Sequence, residues 1–246
     1  METIRVRKLN HANFELTCDS GTAQELNEFF SFYVPGYKFM PAYRNRMWDG
    51  KIRLFTLRDR TLPAGLFYHL SEFCEKRGYI LESERTKYGA PDDRNHITPN
   101  DLELFISGLN LPFDLRTYQF GCVGEALTRK RAILLSPTGS GKSLIIYAIA
   151  RYWLARLTDG LAYPKKGRVL VIVPTTSLVE QMHSDFLKYG WDEGAMHRIY
   201  SGKDKVIENA ACVITTWQSV YKLPKQWFEQ FGAVFGDECH GFKSKS

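Results

Sequence analysis

After a short apolar run, Ala132 to Leu135, the chain reads Ser136-Pro137-Thr138-Gly139-Ser140-Gly141-Lys142-Ser143 and then enters an apolar helical pattern over 142–157. A strand, a glycine-rich loop and a helix in that order predict a phosphate-binding loop. Gly139 and Gly141 let the backbone wrap so that successive N–H groups face a phosphate, and the helix N-terminus adds its positive dipole end. Thr138 and Ser140 complete the cradle. Lys142 is placed to reach the β- and γ-phosphates, and the Ser143 hydroxyl to hold Mg²⁺. Ser136 stands where the first glycine of the pattern is expected.

The surroundings suit such a loop. Ala132–Leu135, Val169–Val173, Ala211–Thr215 and Ala233–Phe235 are short apolar runs, with helical patterns at 142–157 and 177–188 between them. Nearly continuous apolar strands alternating with helices predict a parallel sheet covered on both faces. Upstream lies a smaller α/β pattern. Ile4 and Val6, then Phe14 and Leu16, alternate as in a hairpin, and Ser20 and Thr22 are candidate caps for a helix carrying Leu26, Phe29, Phe30 and Tyr33. Pro35-Gly36 is expected to end it. A strand follows over Lys51–Leu57, then a helix over Leu66–Phe73 with Gly78 near its end, and a strand at Tyr79–Leu81. Apolar residues nearly vanish between Glu82 and His96, and Thr98 with Pro99 opens a short helix. The expected domains are 1–90, a linker with a short helix at 91–113, and 114–246.

A phosphate loop alone fits a kinase, a GTPase or a transporter ATPase. The strand ending at Phe235 runs into Gly236-Asp237-Glu238-Cys239-His240. A carboxylate at a buried strand end can hold Mg²⁺ through water, and the next can deprotonate an attacking water. Asp237 and Glu238 take those roles. Asp-Glu-Cys-His resembles the DExH box of superfamily 2 helicases, and three further segments match in order: Leu115–Gln119, Val173–Gln181 and Ile214–Ser219. The resemblance narrows to the UvsW-type recombination helicases of T-even-type bacteriophages through Lys225–Gly232, Phe29–Phe32, Gly36-Tyr37 and Trp48–Leu54. It implies a RecA-like lobe behind a small accessory domain, with ATP and Mg²⁺ as cofactors. It also implies branched DNA as substrate: Holliday junctions, D-loops, R-loops with their RNA–DNA hybrid, and stalled forks. On this resemblance Gln119 and Arg116 belong to the adenine-recognising segment, Thr175 and Thr216 lie on the strand-tracking face, and His240 couples nucleotide state to DNA. The second RecA-like lobe is not in these 246 residues, so the resemblance implies an N-terminal portion that hydrolyses ATP poorly by itself. A duplex translocase, a restriction-enzyme motor and a non-catalytic nucleic-acid-binding module remain as alternatives.

Charge adds a second candidate surface. Within 36–55, Lys38, Arg44, Arg46, Lys51 and Arg53 face one acid, Asp49, a net +4 in twenty residues of a chain whose total is +6. Tyr37, Phe39, Tyr43 and Trp48 are interleaved. Cations that neutralise phosphates beside rings that stack on bases describe nucleic-acid contact, with Trp48 a candidate; rings in the core and cations in water describe an ordinary surface. The five scattered cysteines form no C-x-x-C pair and predict neither a zinc site nor a disulfide framework. No apolar run approaches the roughly 18–20 residues of a membrane span, and the N-terminus lacks the apolar core of a secretory signal. The cytoplasm is the expected location, that of an infected bacterium if the phage resemblance holds.

Overall fold

The computed structural model describes residues 2–158, 167–200, 206–207 and 209–241, and the chain divides into two compact units, Met1–Arg94 and Asn95–Ser246. In the first, β1 (Thr3–Lys8) and β2 (Asn13–Thr17) pair antiparallel with Val6 opposite Leu16. The helix α1 (Ser20–Phe29) follows, capped by Asp19, whose side chain accepts from the Gly21 and Thr22 amides; Ser20 and Thr22, the expected caps, lie inside it. A carboxylate one residue earlier reaches both free amides and meets the helix dipole. The helix also stops before Pro35. Ser31–Tyr33 forms β3, which leads through a turn and α2 (Pro41–Arg44) to β4 (Lys51–Arg53), its antiparallel partner. The strand expected to run on to Leu57 is therefore three residues long.

Then come β5 (Thr61–Pro63), α3 (Phe67–Arg77) and β6 (Ile80–Glu84). Gly78 ends α3 in the left-handed conformation at φ +69°. The main sheet has the order β5-β2-β1-β6, with β6 parallel to β1. Its inward residues Ile4, Val6, Phe14 and Leu16 pack with Leu26 of α1 and with Leu70 and Phe73 of α3. The outward face is polar, held by Arg5–Glu82 at 2.9 Å and Arg7–Glu15 at 2.6 Å. One apolar and one charged face is the pattern that the alternation predicts.

The second unit opens with α4 (Pro99–Gly108), whose N-terminus is closed by a reciprocal Thr98–Asp101 capping box. Leu102 is buried with Val123 and Leu127 of α5 (Thr117–Arg129) and with Ile145 and Ile149 of α6 (Lys142–Thr158), so the helix expected within a linker is part of this unit's packing. Beyond α6 lie β7 (Arg168–Val173), α7 (Thr176–Lys188), β8 (Met196–Ile199), β9 (Cys212–Thr216), α8 (Trp217–Val220), α9 (Lys225–Phe228) and β10 (Phe231–Gly236). The four strands are parallel in the order β10-β7-β9-β8. Val169, Val171 and Val173 face α6 and α7, while Leu170 with Val213 and Phe231 faces the other way. Both faces of β7 and β9 are covered, which is why these strands read as continuous apolar runs.

One expected strand is absent among the described residues. Ala132–Leu135 makes no ladder; Leu134 packs beneath α6, but Ile133 and Leu135 are 79% and 93% exposed. The sheet ends at β10, whose outward Val234 is itself 59% exposed, so no second layer covers this side. Among the described residues no helix is long and apolar enough to cross a membrane.

Candidate functional site

The loop before α6 has the backbone its glycines permit. Gly139 and Gly141 sit at φ +78° and +76°, a region that side chains with a Cβ rarely occupy. Ser140 is buried, with its hydroxyl donating to the Pro137 carbonyl at 2.7 Å and sharing a hydrogen bond with Ser136 Oγ. Ser136 thus fastens the loop internally where a glycine was expected. Thr138 and Gly139 are exposed, leaving the outer face of the loop open.

Gln119, expected in the adenine-recognising segment, is seated against the loop before α6. It is buried; its Nε2 donates to the Ser140 carbonyl at 2.9 Å and its Oε1 accepts from the Arg116 amide at 2.9 Å. Both ends of the amide are committed to the protein, and a Cβ on Gly141 would lie 2.4 Å from Nε2. Tyr118 OH donates to the same Ser140 carbonyl at 2.6 Å. In this structure Gln119 holds the phosphate loop, while the Arg116 side chain is exposed beside Tyr118.

The acidic box joins the loop from the opposite side. Asp237 and Glu238 follow β10 at the carboxyl end of the parallel sheet, the edge where α/β proteins place ligands. Lys142 Nζ donates to Glu238 Oε1 at 2.5 Å across 96 residues of sequence. That hydrogen bond holds the Glu238 carboxyl below its ordinary range and raises Lys142. Asp237 is moved the other way, raised by desolvation. Glu238 carries a left-handed backbone at φ +49°, a strained state for a glutamate of the kind that collects at functional sites. His240 is exposed, with Nδ1 3.4 Å from Glu238 Oε2.

Thr175, just after β7, and Thr216, the last residue of β9, lie at this same sheet edge. Thr175 is exposed and caps α7. Thr216 is buried, and its hydroxyl bonds Ser219 Oγ at 2.9 Å. Its side chain faces inward, so the exposed groups at this strand end are Trp217 and Gln218. Tyr189 was not foreseen: its hydroxyl shares a 3.0 Å hydrogen bond with Ser143 Oγ. It lies 46 residues from Ser143 and belongs to no recurring motif, so no sequence signal marks it.

In the first unit the expected nucleic-acid residues separate into two groups. Arg53 pairs with Asp49, Lys51 lies over the Tyr33 ring at 4.9 Å, and Trp48 Nε1 donates to the Lys51 carbonyl at 2.8 Å. These hold the turn together. Lys38, Arg44 and Arg46 are exposed and enter no ion pair among the described residues, and Lys38 stands 5.9 Å from the Tyr37 ring centre.

Comparison with known proteins bears on both units. Residues 112–246 match the family described as "Type III restriction enzyme, res subunit", and residues 3–83 match "DNA helicase UvsW, N-terminal". The chain is 36% identical to the ATP-dependent DNA helicase uvsW of Enterobacteria phage T4, over 99% of its own length and 48% of the relative's. It is 28% identical to the DNA 3'-5' translocase XPB2 of Sulfurisphaera tokodaii, over 63% of this chain and 33% of that one. It thus spans about half the phage relative and a third of the archaeal one. A crystal structure of the UvsW helicase from bacteriophage T4 superposes with a TM-score of 0.81 at 34% identity, covering 98% of this chain and 84% of that one.

Proposed function

This chain belongs to the UvsW helicase family, its second unit bearing the match to the type III restriction enzyme res subunit, and from that premise we propose that it is the N-terminal, nucleotide-binding portion of an ATP-dependent DNA helicase acting on branched DNA. The observation that carries the reading is the Lys142–Glu238 hydrogen bond. It supports a reading in which Lys142 anchors, and Glu238 acts at, one γ-phosphate, at the sheet edge that also holds Asp237 and Thr175.

The residues suit ATP. The Gly139–Gly141 backbone cups phosphate oxygens, and the N-terminus of α6 favours their charge. Lys142 exchanges its carboxylate partner for β- and γ-phosphate oxygens. Glu238, released from Lys142 by that exchange, accepts a proton from the attacking water. Ser143 and Asp237 offer the hydroxyl and carboxylate oxygens that Mg²⁺ prefers, with Tyr189 fixing the Ser143 rotamer. When bound there, Mg²⁺ offsets the charge developing on the transferring phosphoryl group. His240, beside Glu238 and exposed, is suited to relay the state of the nucleotide to bound DNA. A second RecA-like lobe completes the site. Lys38, Arg44 and Arg46 supply phosphate contacts in the first unit, and the protein works in the cytoplasm of a phage-infected bacterium.

The test is ATP turnover by the full-length protein with four-way, forked and linear DNA. Stimulation is expected to be greater with branched DNA than with linear duplex. Lys142→Ala is expected to abolish stimulated hydrolysis while DNA binding persists, and unchanged turnover overturns the assignment. A duplex translocase shares this site, and the archaeal relative is described as a DNA 3'-5' translocase. ATP-driven strand release from a fork separates the two readings.

A further inference from the structure

The segment between β3 and β4 leaves apolar side chains in water beside unpaired cations. Phe39, at the end of a short 3₁₀ turn, is 85% exposed, and Met47 is 75% exposed. Their backbone is nonetheless tightly tied. The Phe39 amide donates to the Gly36 carbonyl at 2.9 Å, and the Met47 amide to the Ala42 carbonyl at 2.9 Å. The neighbouring rings form the scaffold: Tyr37 stacks on Tyr33 at 4.6 Å and meets Tyr43 edge-on at 4.8 Å. A Cβ on Gly50 would fall 2.2 Å from the Tyr37 ring. Tyr37 and Trp48 are therefore structural, and Phe39 and Met47 are the apolar groups of this segment that face solvent most fully, with Met40 less exposed between them.

Beside them is an open cleft of about 570 Å³, lined by Lys38, Arg44 and Arg46 together with Tyr43 and Met47. The one acid of the cleft, Asp49, is already bound to Arg53. The field at this surface is thus positive, and the complementary partner is a polyanion that also carries flat apolar faces. Double-stranded DNA shows phosphates but keeps its base faces stacked. Unpaired or branch-point nucleotides show both.

We propose that residues 36–50 form a base-unstacking wedge, in which Phe39 and Met47 pack against exposed nucleobases at a DNA branch point while Lys38, Arg44 and Arg46 hold the flanking phosphates. Apolar side chains inserted between base steps unstack and kink a duplex, and Phe and Met are among those used this way. The proposal rests on the branched-DNA reading above and adds the recognition of unpaired bases to it.

The test uses the whole chain with a four-way junction carrying 2-aminopurine at the branch point and a linear duplex of equal length. Binding is expected to raise 2-aminopurine fluorescence in the junction. Phe39→Ala with Met47→Ala is expected to remove that rise and weaken junction binding about 5- to 150-fold, the range for losing one stacked base, with little change on duplex. Arg44→Glu with Arg46→Glu is expected to weaken both substrates. Loss in the charge variant with none in the Phe39/Met47 variant overturns the wedge and leaves branched-DNA binding standing. No loss in either variant overturns both. If the Phe39/Met47 variant changes only the sedimentation of the free protein, the patch seats a second copy of the chain, and the wedge is overturned.

Discussion

In the second unit the proposed chemistry rests on groups whose places are set by backbone: two glycines at positive φ, a helix N-terminus, and acids following a strand end. In the segment 36–50 of the first unit the groups proposed to act are long side chains on a turn, above a scaffold of stacked rings. The first kind of site is sensitive to the loss of one atom group. The second spreads its energy over several contacts, each replaceable in part. The contrast teaches where a single substitution should abolish function and where it should only weaken it.

The largest effect is expected at Glu238. Glu238→Gln keeps the size and the contact with Lys142 but removes the base, and such groups contribute about 10²- to 10⁴-fold. DNA-stimulated turnover of the full-length protein should fall by that much while ATP binding is retained. A fall of less than about tenfold would take the base role from Glu238. Next is Gly141→Ala. The residue stands at φ +76° with its would-be Cβ 2.4 Å from Gln119 Nε2, so the substitution both strains the backbone and dislodges the amide that holds Ser140. Strain of this kind costs about 1–3 kcal/mol, and nucleotide affinity, read by titration calorimetry, is expected to drop at least about tenfold. Parental affinity would show that the loop tolerates a side chain and that Gln119 does not tension it.

These two positions also show what the sequence made legible. Spacing along the chain became spacing in the loop because the phosphate cradle is local, so residues 136–143 could be read directly. The meeting of Lys142 with Glu238 was inferable because each motif follows an apolar run, although only the run before Glu238 forms a strand. Side-chain direction was harder. Thr216 closes β9 with its hydroxyl turned inward, a matter of register that a one-residue shift reverses. The run Ala132–Leu135 has strand composition, but pairing is non-local and no layer covers Ile133 and Leu135. Helix α5 buries Gln119, Val123 and Leu127 at spacings of four, a stripe masked by its polar first member. In 36–50, composition supplied the cations and rings but could not say that Trp48 is tied to Lys51 while Phe39 is free.

A smaller effect, with a sign that depends on pH, is expected at Asp237. Desolvation raises its folded-state pKa above the ordinary value of 3.8, so the ionised carboxyl opposes folding. The penalty is absent below the unfolded pKa and fully present above the folded one. Asp237→Asn should therefore stabilise the second unit at neutral pH, by about 2 °C in the melting midpoint, while impairing hydrolysis. The gain should shrink as pH falls through the folded pKa and vanish below the unfolded one, where the carboxyl is neutral in both states. Glu238 runs opposite: its lowered pKa gives stability present above the unfolded value and lost as pH falls through the folded one. A scanning-calorimetry series from pH 7 to pH 4 on the parent and both single variants separates the two carboxyls. An Asp237→Asn advantage that grows toward acid would reverse the assignment.

The smallest effect tests the first unit by charge alone. Arg46 enters no ion pair among the described residues and lines the cleft. Arg53 is bonded to Asp49, whose carboxyl it lowers to about 2. Both are single arginines of the same basic segment, so counting charges makes them equal. Pairing does not. A free cation that meets a phosphate releases about 0.9 of a counterion, so Arg46→Gln should flatten the plot of log affinity against log salt by about 0.9. Over a fourfold change in salt, that slope difference alters relative affinity about 3.5-fold. Arg53 already has an anion beside it and releases little on binding DNA, so Arg53→Gln should leave the slope nearly unchanged. It also frees Asp49, which lowers affinity at every salt concentration by repulsion. The two variants thus differ in which feature of the plot moves: the slope for Arg46, the height for Arg53. Equal slope changes would mean that the Asp49–Arg53 pair opens when DNA binds, and that the scaffold beneath the turn takes part in recognition after all.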